Sequence, residues 1–463
     1  MSSPTLERKR PAAPPRWFFA FVPANIANGA SSPLIPLYML IVLHASVFEV
    51  GLVFVAASLA AVPGAVFWGR LSDKLHRRRA FVIVGLASFA VTLPLMALTS
   101  SLPVYLAANA LLGFLQAAGA ATSSVLIMEN FKTAEWARQI GRFAEVTGAA
   151  FVGGLLLGAV WFLWMPAQLG EGPALQLMFA LCAALSAASA VLGAVSIREG
   201  HRRVDRAAAI DALAHLGHSI LEKRRLFLGR LHNLPSFSFA SLRRHGRGPI
   251  GAYSAGIFLL FTGFLVFNAP LPVFLLEEAS LPQALVFWVY LASSALAAAL
   301  YYPAGRRCER GSPASILVAA SAVRIAAYPA FALALLVFAP GSAALILLLM
   351  GLNALAGASW AFINVGGSVV AARLAPPDAK AQVMGLYNAA IGAGSIAGSF
   401  LGGLLAQHFP YLQVFAAASL FIAVGAGVVA VSSGSAAAQG ARVRAPSRVA
   451  AALGLGRLQM RPR

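Results

Sequence analysis

The chain alternates between twelve long apolar segments and shorter polar connections. The segments cover residues 17–43, 47–69, 79–99, 102–128, 139–165, 174–196, 250–276, 282–303, 314–338, 341–372, 380–406 and 409–432. A helix that crosses a bilayer needs about 20 mostly apolar residues, because the hydrocarbon layer is about 30 Å thick. Charged residues form only 11% of the chain, whereas soluble domains contain about 25%. The sequence therefore predicts an all-α integral membrane protein with twelve transmembrane helices.

Arginine and lysine residues are concentrated on one side of this predicted topology. With an even number of spans, both termini and every second loop share a side, and these parts hold the basic residues; Arg324, inside the ninth segment, is the exception. The charges near the opposite loops are acidic: Glu49, Glu171, Glu277 and Glu278. Because cytoplasmic loops are enriched in Lys and Arg, we expect a multi-pass protein of the plasma (cytoplasmic) membrane with both termini in the cytoplasm. The net charge of +20 then reflects topology, and nucleic acid is not an expected partner.

A basic segment in the middle of the chain separates two sets of six spans. The predicted parts are a cytoplasmic tail (1–16), a six-helix bundle (17–196), a cytoplasmic linker (197–249), a second six-helix bundle (250–432) and a basic cytoplasmic tail (433–463). Basic segments next to a membrane are attracted to anionic lipids, so we expect the lipid surface to be a partner of the linker and tails.

Glycine residues recur in the two halves at nearly constant separations. In segments five and eleven the separation is 244 positions for four pairs: Gly141 and Gly385, Gly148 and Gly392, Gly154 and Gly398, Gly158 and Gly402. Gly69 and Gly305 are 236 positions apart, and in segments four and ten we match Gly113 to Gly351 at 238. Small residues let transmembrane backbones approach closely, so this register predicts two equivalent halves. Transporters built from such repeats place their binding site between them.

The loop between segments two and three, GRLSDKLHRRR, carries a charged motif. Gly69, Asp73, Arg77 and Arg78 fit the pattern G-x-x-x-D-x-x-G-R-R, with His76 in place of the second glycine. The second half has a shorter copy, GRRCERG, which contains three further candidate residues, Gly305, Glu309 and Arg310. This loop motif, in a chain of twelve spans and two halves, resembles the major facilitator superfamily over nearly the whole chain.

The resemblance implies that the charged motif is a cytoplasmic gate. Asp73 is expected to lie against the N-terminus of span eleven, where the helix dipole favours a negative charge. Arg77 and Arg78 are expected to pair with Glu129, at the cytoplasmic end of span four. These contacts would break when the halves rock. The alternative is that the arginines only enforce topology.

The resemblance also implies that spans one, four, seven and ten line a central cavity. Polar or aromatic residues in these spans are the candidates for substrate binding: Asn25, Asn28, Gln116, Asn268, Asn353, Trp360 and Asn364. Trp360 offers a stacking face for a sugar or for an aromatic or cationic ligand. The alternative for each amide is a hydrogen bond between helices, which is common in membranes.

Two ionisable side chains fall within spans. Glu145 is the only carboxylate that we place inside the bundle, and we predict that it couples transport to a proton; its alternative role is an ion pair with Arg142. For Arg324 we favour hydrogen bonds to carbonyl groups between spans over contact with substrate. Charge within a membrane is expensive and therefore points to function.

These features favour a secondary active transporter of a small solute over an enzyme. No G-x-x-x-x-G-K-[ST] sequence is present, so direct use of ATP is not expected, and we expect neither a cofactor nor a metal. The preferred interpretation is a monomeric efflux permease for an organic or amphipathic compound, coupled to a proton or a sodium ion. The alternative is a symporter or facilitator for uptake of a sugar-like nutrient, and a remote alternative is a transporter-like membrane sensor.

Overall fold

The computed structural model describes residues 15–75, 77–131, 136–197, 248–376 and 380–444. These ranges are helical and contain no strand. Three predicted parts lie mostly or partly outside the described residues. They are the linker, of which only residues 197, 248 and 249 are described, most of the N-terminal tail, and the end of the C-terminal tail. The tail predicted from residue 433 begins inside a helix that continues to Arg444.

The first half begins with a 3-10 turn, Arg16–Phe21. Seven helices follow it: α1 (Val22–Ile41), α2 (Val47–Leu75), α3 (Arg78–Leu86), α4 (Ser88–Leu98), α5 (Leu102–Asn130), α6 (Trp136–Leu169) and α7 (Glu171–Ser196). Only Ala87 separates α3 from α4, and the two helices form one span, Arg78–Leu98.

The second half repeats this order. Its elements are α8 (Pro249–Asn268), α9 (Leu271–Val273) with a π-helical turn (Phe274–Glu278), α10 (Gln283–Arg310), α11 (Pro313–Val337), α12 (Ala343–Leu374), α13 (Lys380–His408) and α14 (Tyr411–Arg444). Helix α8, α9 and the π turn together form one span.

Eleven spans in the described part of the chain are long and apolar enough to cross a membrane. Helix α1 is not among them, because Asn25, Asn28 and three prolines make it more polar than the others. It nevertheless occupies the position that α8 has in the second half. The prediction of an all-α membrane protein in two six-span halves is confirmed.

Equivalent helices pack against equivalent neighbours in the two halves. Helix α1 packs on α6 and α7, and α8 packs on α13 and α14; α2 packs on α5 as α10 packs on α12. The span α3–α4 contacts α5 and α7, and its counterpart α11 contacts α12 and α14. Each half is therefore the same arrangement of six spans.

Glycine contacts fix the register between the halves. A Cβ atom at Gly154 in α6 would overlap the carbonyl oxygen of Ile26 in α1, and one at Gly398 in α13 would overlap that of Thr262 in α8. Ile26 and Thr262 are 236 positions apart, and the two glycines are 244 apart. The separation of 244 is the one predicted for segments five and eleven, and 236 equals the separation of Gly69 and Gly305.

The predicted match of Gly113 to Gly351 is wrong. A Cβ atom at Gly113 would overlap the carbonyl oxygen of Ala57 in α2, and it is Gly357 that meets Ser293, the equivalent residue of α10, in this way. Around Gly351, by contrast, a Cβ atom would meet nothing within 4 Å. Helices α5 and α12 are therefore related by 244 positions, as α6 and α13 are.

The two halves meet at the end of the bundle that carries the acidic loops, which we call the neutral end; the other is the basic end. There Gly51 of α2 packs against Gly403 of α13, and Phe162 of α6 stacks on Phe287 of α10 with ring centres 5.2 Å apart. Contact continues to the middle of α2, where a Cβ at Gly392 would lie 3.3 Å from Val62.

The basic end is open between the halves at the described glycines. A Cβ atom at Gly69, Gly141 or Gly305 would meet nothing within 4 Å. From the position of these contacts we infer that the structure is closed at the neutral end and spread at the basic end.

Candidate functional site

One face of α12, between Asn353 and Asn364, points toward α10. The Asn353 amide donates a hydrogen bond to the Val289 carbonyl at 2.8 Å, and one turn further on Gly357 contacts Ser293. Trp360 lies about one turn beyond Gly357 and Asn364 about two turns beyond it, and both are close to the Tyr301 hydroxyl. The predicted polar stripe on one face of α12 is therefore the face that packs on α10.

Burial changes along this face. Asn353 is only 5% exposed, Trp360 is half-buried and Asn364 is exposed. The predicted substrate residue Asn353 thus uses its amide to hold two helices together. The pair of Trp360 and Asn364 lies where the face opens toward the basic end, and Tyr301 joins them there.

Aromatic side chains from α8 surround Trp360. Phe261 and Phe264 present their edges or faces to its ring in T-shaped pairs, with centroid distances of 5.7 and 6.0 Å. We call Phe261, Phe264 and Trp360 the aromatic wall. T-shaped contacts of this kind stabilise the rings beyond the gain from burial alone, so the wall is held in place before any ligand binds.

A buried arginine lies behind the aromatic wall. Arg324 is 5% exposed, and its guanidinium carbon lies 4.5 Å from the centre of the Phe264 ring and 5.4 Å from that of Trp360. It donates hydrogen bonds to the Tyr328 hydroxyl (2.6 Å), the Ser359 hydroxyl (2.8 Å) and the Ala356 carbonyl (2.8 Å). The last bond confirms the prediction that Arg324 binds a carbonyl group between spans.

The positive charge of Arg324 has no acidic partner in the part of the chain that the structure describes. Its hydrogen-bond acceptors are two hydroxyls and one carbonyl, all formally neutral. Buried charges are otherwise usually paired. Arg324 therefore leaves the second half with a net positive charge close to the aromatic wall.

The internal register assigns a counterpart in the first half to each residue of the aromatic wall. At the separations fixed above, Asn25 corresponds to Phe261, Asn28 to Phe264 and Gln116 to Trp360. We call these three amides the polar wall. Three of the predicted substrate residues are thus equivalent, position by position, to three aromatic residues on the other half.

The amides make local contacts in this conformation. Asn25 donates to the Phe21 carbonyl at 2.9 Å, and Asn268 donates to the Phe264 carbonyl at 2.6 Å. Asn28 and Gln116 are half-buried.

The prediction that Glu145 is enclosed by the bundle is wrong. Its side chain is exposed, and it precedes Leu156 and Leu163 by nearly whole numbers of helical turns. Those leucines are 44% and 53% exposed, so all three residues share an outward face of α6. No ion pair joins Glu145 to Arg142, and Nη1 of this arginine is buried without a hydrogen bond.

The structure describes only part of the predicted gate. Arg77 is exposed, and Arg78 donates to the Ser72 hydroxyl at 2.6 Å. The side chains of Asp73 and Glu129 lie outside the described residues, so their predicted contacts remain predictions.

The equivalent motif of the second half is also exposed. Glu309 and Arg310 lie in the last turn of α10. The two motif glycines, Gly69 and Gly305, have open surroundings. Small residues are therefore not required at these positions while the basic end is spread.

Sequence reasoning missed Tyr301, Phe261, Phe264 and Tyr328. Phenylalanine and tyrosine do not stand out in an apolar span, so composition gave no signal for them. The internal duplication does contain a signal, because Phe261 and Phe264 occupy the positions of the amides Asn25 and Asn28.

The two six-span halves share an interface that is closed at the neutral end and spread at the basic end. This arrangement is typical of polytopic membrane transporters. The sequence matches the model of the Major Facilitator Superfamily over residues 17–357. The chain belongs to this family, and the resemblance seen in its loop motif is confirmed. No curated protein matches the chain.

Solved transporter structures share the fold. The nucleoside transporter NupG has a TM-score of 0.60 at 15% identity, over 90% of this chain and 98% of that one. A POT family transporter in complex with a thioalcohol-conjugated peptide has a TM-score of 0.68 at 12% identity, over 91% and 96%. A D-xylose–proton symporter has a TM-score of 0.62 at 12% identity, over 88% and 96%. At these identities the likeness describes the fold alone.

Proposed function

We propose that the chain is a secondary active transporter that binds a small amphipathic organic solute between the polar wall and the aromatic wall. The observation that carries this proposal is the replacement of Asn25, Asn28 and Gln116 in one half by Phe261, Phe264 and Trp360 in the other. A solute with a hydrogen-bonding side and an apolar or aromatic side complements such a site, since binding sites combine apolar lining with a few placed polar groups.

Arg324 restricts the charge of this solute. A cation stacked on Trp360 would lie roughly 9 Å from the guanidinium, where like charges repel by about 2 kcal/mol at an effective dielectric constant of about 20. Trp360 also already has a cation 5.4 Å from its ring centre. We therefore propose a neutral or anionic solute. Of the ligands that the sequence suggested for Trp360, this leaves out the cationic ones.

The transport cycle is a rocker-switch exchange between the spread basic end and the closed neutral end. We propose that the basic end faces the cytoplasm of a cell bounded by the plasma membrane, on the positive-inside rule. With that orientation the site is open to the cytoplasm, where an efflux transporter loads its solute and an uptake transporter releases it. We keep a proton or a sodium ion as the coupling ion and a monomer as the working unit.

A second candidate is uptake of a sugar-like nutrient. The amides of the polar wall suit hydroxyl groups, and Trp360 with Asn364 suits a stacked and hydrogen-bonded ring. Both observations also fit the first candidate, so solute chemistry must separate the two.

The test measures the thermal stability of the purified protein with added ligands. Three naphthalene derivatives of matched shape serve as probes: a hydroxymethyl (neutral), a carboxymethyl (anionic) and an aminomethyl (cationic) derivative. A panel of sugars is measured in the same way. A ligand at 100 times its dissociation constant stabilises by about 2.7 kcal/mol. We expect shifts with the neutral or anionic probe that Gln116→Ala and Trp360→Ala abolish. Leu355→Ala is the control, because Leu355 lies in α12 and is 50% exposed. Shifts with sugars alone would replace efflux by uptake, and shifts that survive both wall variants would refute the site.

A further inference from the structure

A cavity lies outside the substrate region, where α10 ends and α11 begins. It has a volume of about 650 Å³. Its lining combines apolar groups with three guanidinium groups: Tyr302, Pro303, Arg306, Arg307, Arg310, Gly311 and Ile316. Glu309, the adjacent acid in the sequence, is not part of the lining. The cavity is therefore strongly positive.

The arginines are arranged on one side of the last two turns of α10. Arg306 and Arg310 are one helical turn apart and exposed, as is Arg307. The Arg306 guanidinium carbon lies 6.0 Å from the centre of the Tyr302 ring, and Tyr302 is 75% exposed. Three like charges held this close together favour a ligand that carries negative charge.

The cavity faces away from the substrate region. Tyr301 reaches Trp360 and Asn364 of α12. Cys308 is buried on that side, and its carbonyl accepts a hydrogen bond from Arg373 of α12 at 3.3 Å. Tyr302, Arg306 and Arg310 follow the opposite side of α10 because successive residues are turned by about 100° around a helix.

The position of the cavity along the span is that of lipid headgroups. It lies at the end of the α10 span, Gln283–Arg310, and tyrosine is enriched at the membrane–water interface. Arginine stems cover apolar surface while their charged ends reach the headgroup level. The cavity also borders the N-terminus of α11, which adds partial positive charge.

We propose that this cavity binds the phosphate headgroup of an anionic phospholipid, with Arg306, Arg307 and Arg310 as its ligands and with the acyl chain running along Tyr302 and Ile316. The segments of this chain outside the described residues are poor occupants, because the linker is predominantly basic and the C-terminal tail carries only basic charges. This inference does not depend on the identity of the transported solute.

The experiment uses the full chain in nanodiscs of phosphatidylcholine, to which phosphatidylglycerol is added in steps while bound lipid is counted by native mass spectrometry. The test variant is Arg306→Gln with Arg307→Gln and Arg310→Gln. The control variant is Arg16→Gln with Arg70→Gln and Arg77→Gln, three exposed arginines that do not line the cavity. We expect the test variant to lose one bound phosphatidylglycerol and at least tenfold in apparent affinity, and the control to bind like the unchanged protein.

Equal losses in both variants would overturn the proposal, because they would show only general attraction to a negative surface. Inorganic phosphate that binds the detergent-solubilised protein at the same arginines, without any lipid requirement, would also overturn it. Ile316→Trp places an indole in the lining, which narrows the cavity and obstructs the proposed path of the acyl chain while all charges are kept, so it tests the site even where the triple variant fails to fold. Unchanged lipid binding in Ile316→Trp would contradict a headgroup in this cavity.

Discussion

The guanidinium carbon of Arg324 lies 5.4 Å from the centre of the Trp360 ring, and the same group donates a hydrogen bond to Tyr328. A positive charge is thereby fixed directly behind the aromatic wall. The two contacts give Arg324 an electrostatic effect on the site as well as a part in packing α11 on α12.

Replacing Arg324 by glutamine should change the charge preference of the site. We expect the cationic naphthalene probe to bind about 25-fold more tightly than before, since every 1.4 kcal/mol is a factor of ten and the repulsion that is removed is about 2 kcal/mol. Arg324→Lys is the control, because it keeps the charge and should keep the preference. Both variants should lower thermal stability, because neither side chain reproduces the planar guanidinium that reaches all three acceptors, and a buried polar group left without a partner costs about 1–3 kcal/mol. An unchanged cation affinity in a folded Arg324→Gln protein would contradict the electrostatic role.

The two interhelical asparagines should contribute equally to stability. Asn109 donates to the Val53 carbonyl at 2.7 Å and Asn353 to the Val289 carbonyl at 2.8 Å, at equivalent places in the two halves. We expect Asn109→Leu and Asn353→Leu each to destabilise by about 0.6 kcal/mol, the average for hydrogen bonds between membrane helices, measured by unfolding in detergent.

Asn388→Leu serves as the control for this pair, because Asn388 is exposed on α13. Its stability should not change. Solute binding should survive Asn353→Leu but weaken in Asn364→Ala. Loss of solute binding in Asn353→Leu alone would restore Asn353 as a substrate residue.

Two adjacent glycines of α6 should respond oppositely to alanine. At Gly154 a Cβ atom would overlap the Ile26 backbone, whereas at Gly153 it would meet nothing within 4 Å. We expect Gly154→Ala to separate α1 from α6 and to lower the yield of folded protein and its melting temperature. Gly153→Ala should be neutral or stabilising, because alanine favours a helix over glycine by about 1 kcal/mol. The same result for both variants would contradict the helix contact.

A large side chain at Gly158 should open the neutral end. A Cβ atom there would overlap the ring of Phe287 from the other half, so Gly158→Trp should push α6 away from α10. Spin labels at Ser101 and Ser280, both exposed, would report a longer and broader distance across the neutral end. Gly153→Trp is the matched control and should leave the distance unchanged. A short distance in Gly158→Trp would show that the halves are not held together at this contact.

The sequence was sufficient to predict the spans and the two halves, because length, apolarity and the position of arginine depend on the membrane rather than on packing details. The register of α5 and α12 was misjudged for a specific reason. Gly113 and Gly119 have the same spacing as Gly351 and Gly357, so the wrong alignment matched two glycines. The asparagines that precede Gly113 and Gly357 by one turn settle the alignment, since both make the same hydrogen bond.

Which way a side chain faces was harder to predict than its depth in the membrane. The depth of Glu145 follows from its place in the span, but its outward direction depends on which side of α6 the neighbouring helix α1 occupies. Phe261 and Phe264 were missed because a phenylalanine in an apolar span is unremarkable until a partner such as Trp360 is placed against it.

The unlike walls also give the site a direction within the membrane plane. A solute with one polar and one aromatic end would have to bind with the same end toward the first half on every cycle, and it would cross the bilayer without turning over. A molecule with two polar ends would complement only the polar wall. The chemistry of the two ends would therefore discriminate among candidate solutes as strongly as their size. An inhibitor that carries an aromatic ring on one end and an amide-binding group on the other would bridge both halves and hold them in one state.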